Sequence, residues 1–387
     1  MDLDLTPEQK AIQAAARELA QAELEPAAAR LDREFDRRTF VGNLGKLAAQ
    51  GFMGMNVRRT YGGAEAGTIA LSVALTELAR ACASSAASVS VTNMVAEVIQ
   101  AVGSEEQKAT YLPRICSGQY PAASFALTEA GAGSDPAGMV TQAVADGDAF
   151  VLDGEKRFIT NAPYAGVFVV WAVTDRAAPR GKGISCFLVD AGTPGLVVGR
   201  QADKMGQRAS ATTEVRFERC RVPRAALLGR QHDGFRVAVT ELAGGRIGVG
   251  SLALGIGLAA MDFATRYASE RVQFGERITS FEGVQWMIAD AYTELEAARL
   301  LLLSAAFRKD RGLPYAKEAA MAKLYASEAA ERACHSAVQL MGGYGYLRDF
   351  PVERYARDVR ITSIYEGTNQ IQRLIVAREI LKELAQP

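Results

Sequence analysis

An α+β chain in three successive parts, helical, strand-rich and helical again, is the fold class the sequence predicts, and three observations predict it. The first 120 residues carry helical periodicity and no strand signal of any length. Residues 121–228 break into short β-rich runs separated by Gly, Asp and Pro. Long helical patterns then return and fill the remainder of the 387 residues, a length that asks for two or three packed units. The expected domains are 1–120, 121–228 and 229–387.

Each element has a local reason. Thr6, Pro7 and Gln9 supply a cap, a first-turn proline and a capping-box partner for the first helix, and Pro26 limits its far end. "RTFVGNLGKLAAQG" closes on Gly51, the glycine loop "YGGAEAGT" precedes a helix from Ile69 to Arg80, and Ser104 with Gln107 caps the helix that ends near "ICSG". In the middle part, "YPAASFAL", "DAFVLDGEKRFIT", "AGVFVVWAV", "GISCFLVD", "GLVVG" and "TTEVRFERCRV" read as an antiparallel sheet or barrel, with Asp153-Gly154 as a hairpin signal. Three long helical patterns from Gly234 onward, joined by short connections, predict an antiparallel bundle. In "PVERYARDVR", the pairs Glu353 with Arg357 and Arg354 with Asp358 predict a solvated or interface helix face. Asn369 followed by Gln372 reads as a capping box that opens the last helix, which places Glu366 at its mouth.

Composition excludes several functions. With 44 Lys plus Arg against 44 Asp plus Glu, nothing pulls the chain generally toward nucleic acid or an anionic membrane, so phosphate ligands must be held locally. The opening "MDLDLTPEQK" shows no charged-then-apolar leader, and the apolar runs stop short of the roughly 20 residues that span a bilayer; a soluble, cytoplasmic protein is expected. The cysteines Cys82, Cys116, Cys186, Cys220 and Cys334 form no C-x-x-C pair, and His232 and His335 have no motif around them, which argues against zinc, disulfide and histidine-triad chemistry.

Several motifs carry a possible site. "GVGSLA" and "GIGLAA" match a dinucleotide fingerprint, but they lie inside a helical pattern rather than after a strand, so close helix packing is the better reading. "FALTEAGAGSD" is a short β run feeding a loop with Gly131, Gly133 and Ser134, which suits a phosphate or a flat heteroaromatic ring; an ordinary glycine loop is the competing reading. "KRFITNA" offers Phe158 to cover a ring and Thr160 to bond its edge, or is simply a strand end. Arg271 in "SERVQFG" suits a pyrophosphate, and Gly342 and Gly343 in "QLMGGYGYL" admit close backbone approach. Glu366, alone in an arginine-rich neighbourhood, would on its own be read as complementing a helix dipole.

Taken in order, "ALTEAGAGSD", "FITNA", "GGRIG", "ERVQFG", "QLMGGYGYL" and "IYEGTNQIQRLIVARE" resemble the acyl-CoA dehydrogenase family of flavoenzymes over essentially the whole chain. The resemblance implies a helical N-terminal domain, a middle antiparallel β-barrel and a C-terminal four-helix bundle, assembled as a homotetramer, a dimer of dimers. It implies FAD as cofactor, held at the flavin ring by Phe125, Leu127, Thr128, Gly133, Ser134, Phe158, Ile159 and Thr160. Arg271, Phe274, Gln339, Gly342 and Gly343 resemble positions that hold the dinucleotide part from a neighbouring subunit, and Thr368 and Gln370 match further cofactor contacts. Ser134, Arg246 and Gly367 match positions near the CoA thioester, and Glu366 matches the base that takes the α-proton in the short- and medium-chain branches. Other branches place that glutamate just before the arginine of "GGRIG", where this chain has Gly245. Ala130, Ala243, Glu282 and Phe158 depart from the common pattern, Ala243 at a CoA contact and Glu282 at an FAD contact.

The implied activity is α,β-dehydrogenation of a short- to medium-chain acyl-CoA, with electrons passed to an electron-transferring flavoprotein. Alternatives on the same fold are an oxygen-using acyl-CoA oxidase, a nitroalkane-oxidase-like enzyme and a non-catalytic binding member. The glutamate at 366 disfavours the second and the neutral charge disfavours a nucleic-acid-binding form of the last.

Overall fold

The computed structural model describes residues 4–385; the first residues of the acidic opening and the end at Pro387 lie outside them. Six helices come first: α1 (Pro7–Leu19), α2 (Glu25–Arg33), α3 (Arg37–Ala49), α4 (Thr68–Ala81), α5 (Ala83–Val102) and α6 (Glu105–Cys116). Thr6 and Ser104 both close the expected capping boxes. Pro26 does not end the first helix. A π-helical turn, Ala20–Leu24, intervenes, and Pro26 falls in the first turn of α2, where its missing N–H costs nothing.

The middle part is an open sheet, not a closed barrel, and it is mixed rather than purely antiparallel. Its strands are β1 (Ala122–Ala126), β2 (Gln142–Asp146), β3 (Ala149–Thr160), β4 (Ala165–Val173), β5 (Ile184–Asp190), β6 (Leu196–Gln201), β7 (Thr212–Pro223) and β8 (Leu227–Leu228). They run in the order β6-β7-β3-β2-β4-β5-β8, with β1 parallel to β4. β2 and β4 join through a single parallel pair, Gln142 with Val173, so two halves fold over each other and the edges β6 and β8 never meet. Period-2 alternation explains the packing. Phe168 and Val170 of β4 face Phe150, Phe187 and Phe217 between the halves, while Val167, Val169 and Trp171 face α5 and α6. The β2–β3 hairpin turns at Gly147-Asp148, not at Asp153-Gly154. Gly154 lies inside β3 at φ +146°, where the register with β7 slips and a Cβ would crowd Thr141.

The chain then returns to helices α7 (Gly234–Glu270), α8 (Glu282–Asp310), α9 (Ala316–Met341), α10 (Val352–Val359) and α11 (Asn369–Leu384). α7 packs against α4, α8 and α9, and α11 lies along α9. The glycines of "GVGSLA" and "GIGLAA" do serve close packing: a Cβ at Gly255 would overlap the Thr76 carbonyl, and one at Gly257 would press on Ala330 of α9. Contrary to the expectation for apolar runs, α7 is long and apolar enough by composition to cross a membrane, but 78% of its most apolar window is buried inside the protein. The expected solvated face of α10 is also corrected. Arg354 and Asp358 are buried, and only the neighbouring pair is partly open, with Arg357 reaching both Glu353 and Asp32.

Candidate functional site

Glu366 follows a 3-10 turn, Arg360–Ser363, and precedes α11. It adopts φ +57° and Gly367 φ +86°, two successive left-handed residues that turn the chain sharply into the helix. That conformation is held from below. Gln372 Nε2 donates to the carbonyls of Glu366 (3.2 Å) and Gly367 (2.8 Å), and Lys323 Nζ donates to the Gly367 carbonyl and to Asn369 Oδ1, each at 2.9 Å. The helix cap is Thr368, whose hydroxyl accepts from the Ile371 N–H. Asn369 and Gln372, expected to form a capping box, instead anchor the loop.

The Glu366 side chain lies over α7. Its Oε1 is closed off from solvent and has no hydrogen-bond partner. A Cβ at Gly245 would overlap this atom, so the glycine is what makes room for the carboxylate. Arg246, next along α7, is buried and its Nε is likewise unpartnered. Burial pushes the Glu366 carboxyl up to about 7, against the opposing pull of Arg246 and Lys323. Burial also lowers Lys323 to about 7 and draws Arg246 below its ordinary value, with Glu366 opposing both shifts. A buried carboxyl flanked by Arg246 and Lys323, neither of which bonds it, and poised near neutrality has the character of a general base.

A second group of residues forms beside the sheet. The Arg157 N–H donates to the Thr128 carbonyl at 2.8 Å and Ser124 Oγ donates to the Thr160 carbonyl at 2.8 Å, which brings the loops at 125–134 and 158–160 together. Gly133 and Ser134 are exposed, and a Cβ at Gly133 would meet nothing within 4 Å. Phe158 is 71% exposed at φ +58°, a bulky residue in a conformation that its surroundings must impose. The side chains of Leu127 and Ile159 point into the cores, leaving only their backbone for a ligand. Phe125 stacks on Trp171 with centroids 4.2 Å apart, and Trp171 Nε1 donates to the carbonyl of Gly234, the first residue of α7. Val237 and Ala238 of α7 pack in the same cluster as Leu127, so one helix links these loops to Gly245, Arg246 and Glu366.

A third group lies at the far end of that helix. Arg271, Gln339, Gly342 and Gly343 line an open cavity of about 390 Å³, with the Arg271 guanidinium 5.8 Å from the Tyr344 ring centre. Phe274 is 95% exposed beside it and Gln370 is exposed on α11. The run of α7 from Gly245 to Glu270 is about 38 Å long at 1.5 Å per residue. The structure thus brings the residues singled out in the sequence into three clusters, and the third stands apart from the other two.

Sequence reading passed over Lys323, Glu241 and the buried pair Glu129–Lys156, and gave Gln372 a capping role in place of its bonds to the Glu366 and Gly367 carbonyls. Glu129 accepts from Lys156 Nζ (2.8 Å) and from the N–H groups of Val140 (2.6 Å) and Thr141 (3.0 Å), tying down both ends of the glycine loop. Lys323 left one signal: it is the lone cation on a face of α9 otherwise made of Ala319, Ala320, Ala326 and Ala330.

Fold and site together give a helical, strand-rich, helical enzyme scaffold with a carboxyl enclosed among helices beside a sheet with open loops. The chain belongs to the acyl-CoA dehydrogenase family: residues 6–119, 124–220 and 232–381 match its N-terminal, middle and C-terminal domains. Among its relatives, an acryloyl-CoA reductase (NADH) of Anaerotignum propionicum is 44% identical over 99% of this chain and 96% of its own length. A short-chain specific acyl-CoA dehydrogenase of Clostridium acetobutylicum is 41% identical, covering 99% and 100%. The structure of butyryl-CoA dehydrogenase from Megasphaera elsdenii superposes with a TM-score of 0.95 at 36% identity, covering 98% and 100%. A chain from work on the electron-transferring flavoprotein of Acidaminococcus fermentans and flavin-based electron bifurcation gives 0.95 at 41%, with the same coverage.

Proposed function

We propose that the protein is an FAD-dependent acyl-CoA dehydrogenase acting on short- to medium-chain thioesters, with Glu366 as the base and an electron-transferring flavoprotein as acceptor. The observation that carries this reading is the enclosed, unpartnered Oε1 of Glu366 between Arg246 and Lys323. Glu366 takes the α-proton of the acyl group onto its carboxylate. Its backbone N–H, which has no acceptor among the described residues, is available to polarise the thioester carbonyl, and Gly367 keeps that backbone open. Enclosure excludes water and strengthens both effects. FAD, when bound, supplies the two-electron acceptor for the hydride that leaves the β-carbon.

The residues present fit that cofactor. Thr128, Thr160 and the open backbone at Gly133 and Ser134 would hold the ring, with exposed Phe158 to cover it. The Arg271 cavity, about 38 Å along α7 from the base, would hold the dinucleotide end of a neighbouring subunit's FAD, and assembly as a homotetramer is part of the same proposal. A cytoplasmic location belongs to the same proposal. The relative that is an acryloyl-CoA reductase favours one second reading, the same site run toward reduction, with protonated Glu366 returning the proton.

Anaerobic titration of the yellow protein with straight and branched acyl-CoAs tests the assignment. Flavin bleaching by one acyl class that disappears in Glu366→Gln, with FAD retained, is expected. Equal bleaching in that variant would remove Glu366 from the reaction.

A further inference from the structure

Beside Gly245 lies a narrow cavity of about 20 Å³ between α4, α5 and α7, with space for one water-sized group. Its lining combines the apolar Leu71, Met94 and Ile247 with the hydroxyls of Thr68, Ser72 and Ser90 and the carboxyls of Glu97 and Glu241. A cavity that ends an aliphatic chain has no use for two glutamates. Glu97 is already satisfied, since it accepts from Asn56 Nδ2 at 2.8 Å and pairs with Lys309. Glu241 is not: its Oε1 is shut off from solvent without any hydrogen-bond partner. Burial and the neighbouring Glu97 drive its carboxyl far above the ordinary range despite Lys309. Gly244 leaves the cavity floor open, and its missing Cβ would sit 2.7 Å from Lys309 Nζ.

Building on the reading of Glu366 as the base, we infer that Glu241 recognises a hydrogen-bond-donating group, a hydroxyl or an ammonium, at the end of a short acyl chain. The geometry sets the length. Glu241 precedes Gly245 by one helical turn, about 6 Å along α7, and an extended chain advances about 1.2 Å per bond. An end group at the level of Glu241 therefore stands about five bonds along an extended chain from the level of Gly245. A methyl terminus leaves the carboxyl unpaired, and a site built to bond a polar group discriminates strongly against the analogue that lacks it. A terminal carboxylate finds no free cation there, because Lys309 is already paired with Glu97, and loses its hydration without compensation.

The test uses the FAD-loaded protein and acyl-CoAs of four to six carbons ending in methyl, hydroxyl, ammonium or carboxylate. Dissociation constants are measured by calorimetry on Glu366→Gln, which does not turn the thioesters over, and kcat/KM is measured on the wild type. Hydroxyl or ammonium chains are expected to bind at least tenfold tighter than the methyl chain of equal length, with the carboxylate weakest. Adding Glu241→Leu should reverse that order, whereas Glu241→Gln should keep the hydroxyl preference and lose the ammonium one. Equal or tighter binding of the methyl chains at every length, or a preference untouched by Glu241→Leu, would overturn the inference and leave the cavity to a bound water. Failure of every thioester to bleach wild-type flavin would instead defeat the role of Glu366, while the binding ratios still decide the role of Glu241.

Discussion

Lys156 and Lys323 are both fully buried lysines beside a glutamate, and the two sites behave in opposite ways. Lys156 donates to Glu129 at 2.8 Å and to the Leu127 carbonyl at 3.1 Å, and backbone N–H groups occupy the remaining positions on the carboxylate. Burial opposes ionisation of Glu129, yet Lys156 and these donors hold its carboxyl below the ordinary value. Lys323 spends its bonds on Gly367 and Asn369 and leaves Glu366 without one, so burial wins and that carboxyl rises to about 7. The same ingredients make an ionised clamp when they are paired and a carboxyl that titrates near neutrality when they are not.

The largest expected effect breaks the unpaired site. Glu366→Gln should lower the rate of flavin reduction about a thousandfold in stopped-flow measurements, the contribution of a positioned general base. Next comes the paired site: Lys156→Met strands a buried carboxylate and should cost about 3 kcal/mol in urea unfolding, with much of it recovered when Glu129→Leu is added. Gly245→Ala crowds Glu366 Oε1 and should lower kcat about tenfold with the fold intact by circular dichroism.

The smallest effect sharpens the contrast. A base works when ionised, so wild-type kcat/KM should rise with pH through about 7. The Lys323 cation favours the carboxylate, so Lys323→Met makes Glu366 hold its proton more tightly and should move the profile about one unit toward alkaline pH. A profile that stays in place would show that Lys323 only anchors the loop.

Helix and strand order was legible because periodicity and caps are local, as at Thr6 with Gln9 and Ser104 with Gln107. Closure of the sheet was not, because it depends on whether β6 and β8 find each other, which no local pattern encodes. Pro26 misled because a π-helical turn upstream absorbed it, and Asp153-Gly154 because a bulge uses the same residues as a turn. Arg354 and Asp358 show helical spacing, which says nothing about which face the rest of the molecule covers. Glu366 stood out in the sequence as a lone carboxylate at a helix mouth and drew its role as base from the resemblance, whereas its cations come from α7 and α9, far away in the chain. Glu129 and Lys156 are 27 residues apart and meet only once β3 has paired.

The overlap between a side chain at Gly245 and the carboxylate of Glu366 constrains descent as well as chemistry. A lineage that moves its base from one position to the other, one substitution at a time, must pass through an ancestor with two carboxylates competing for one volume or with none. Substitution at Gly245 is therefore constrained by the residue already held at 366.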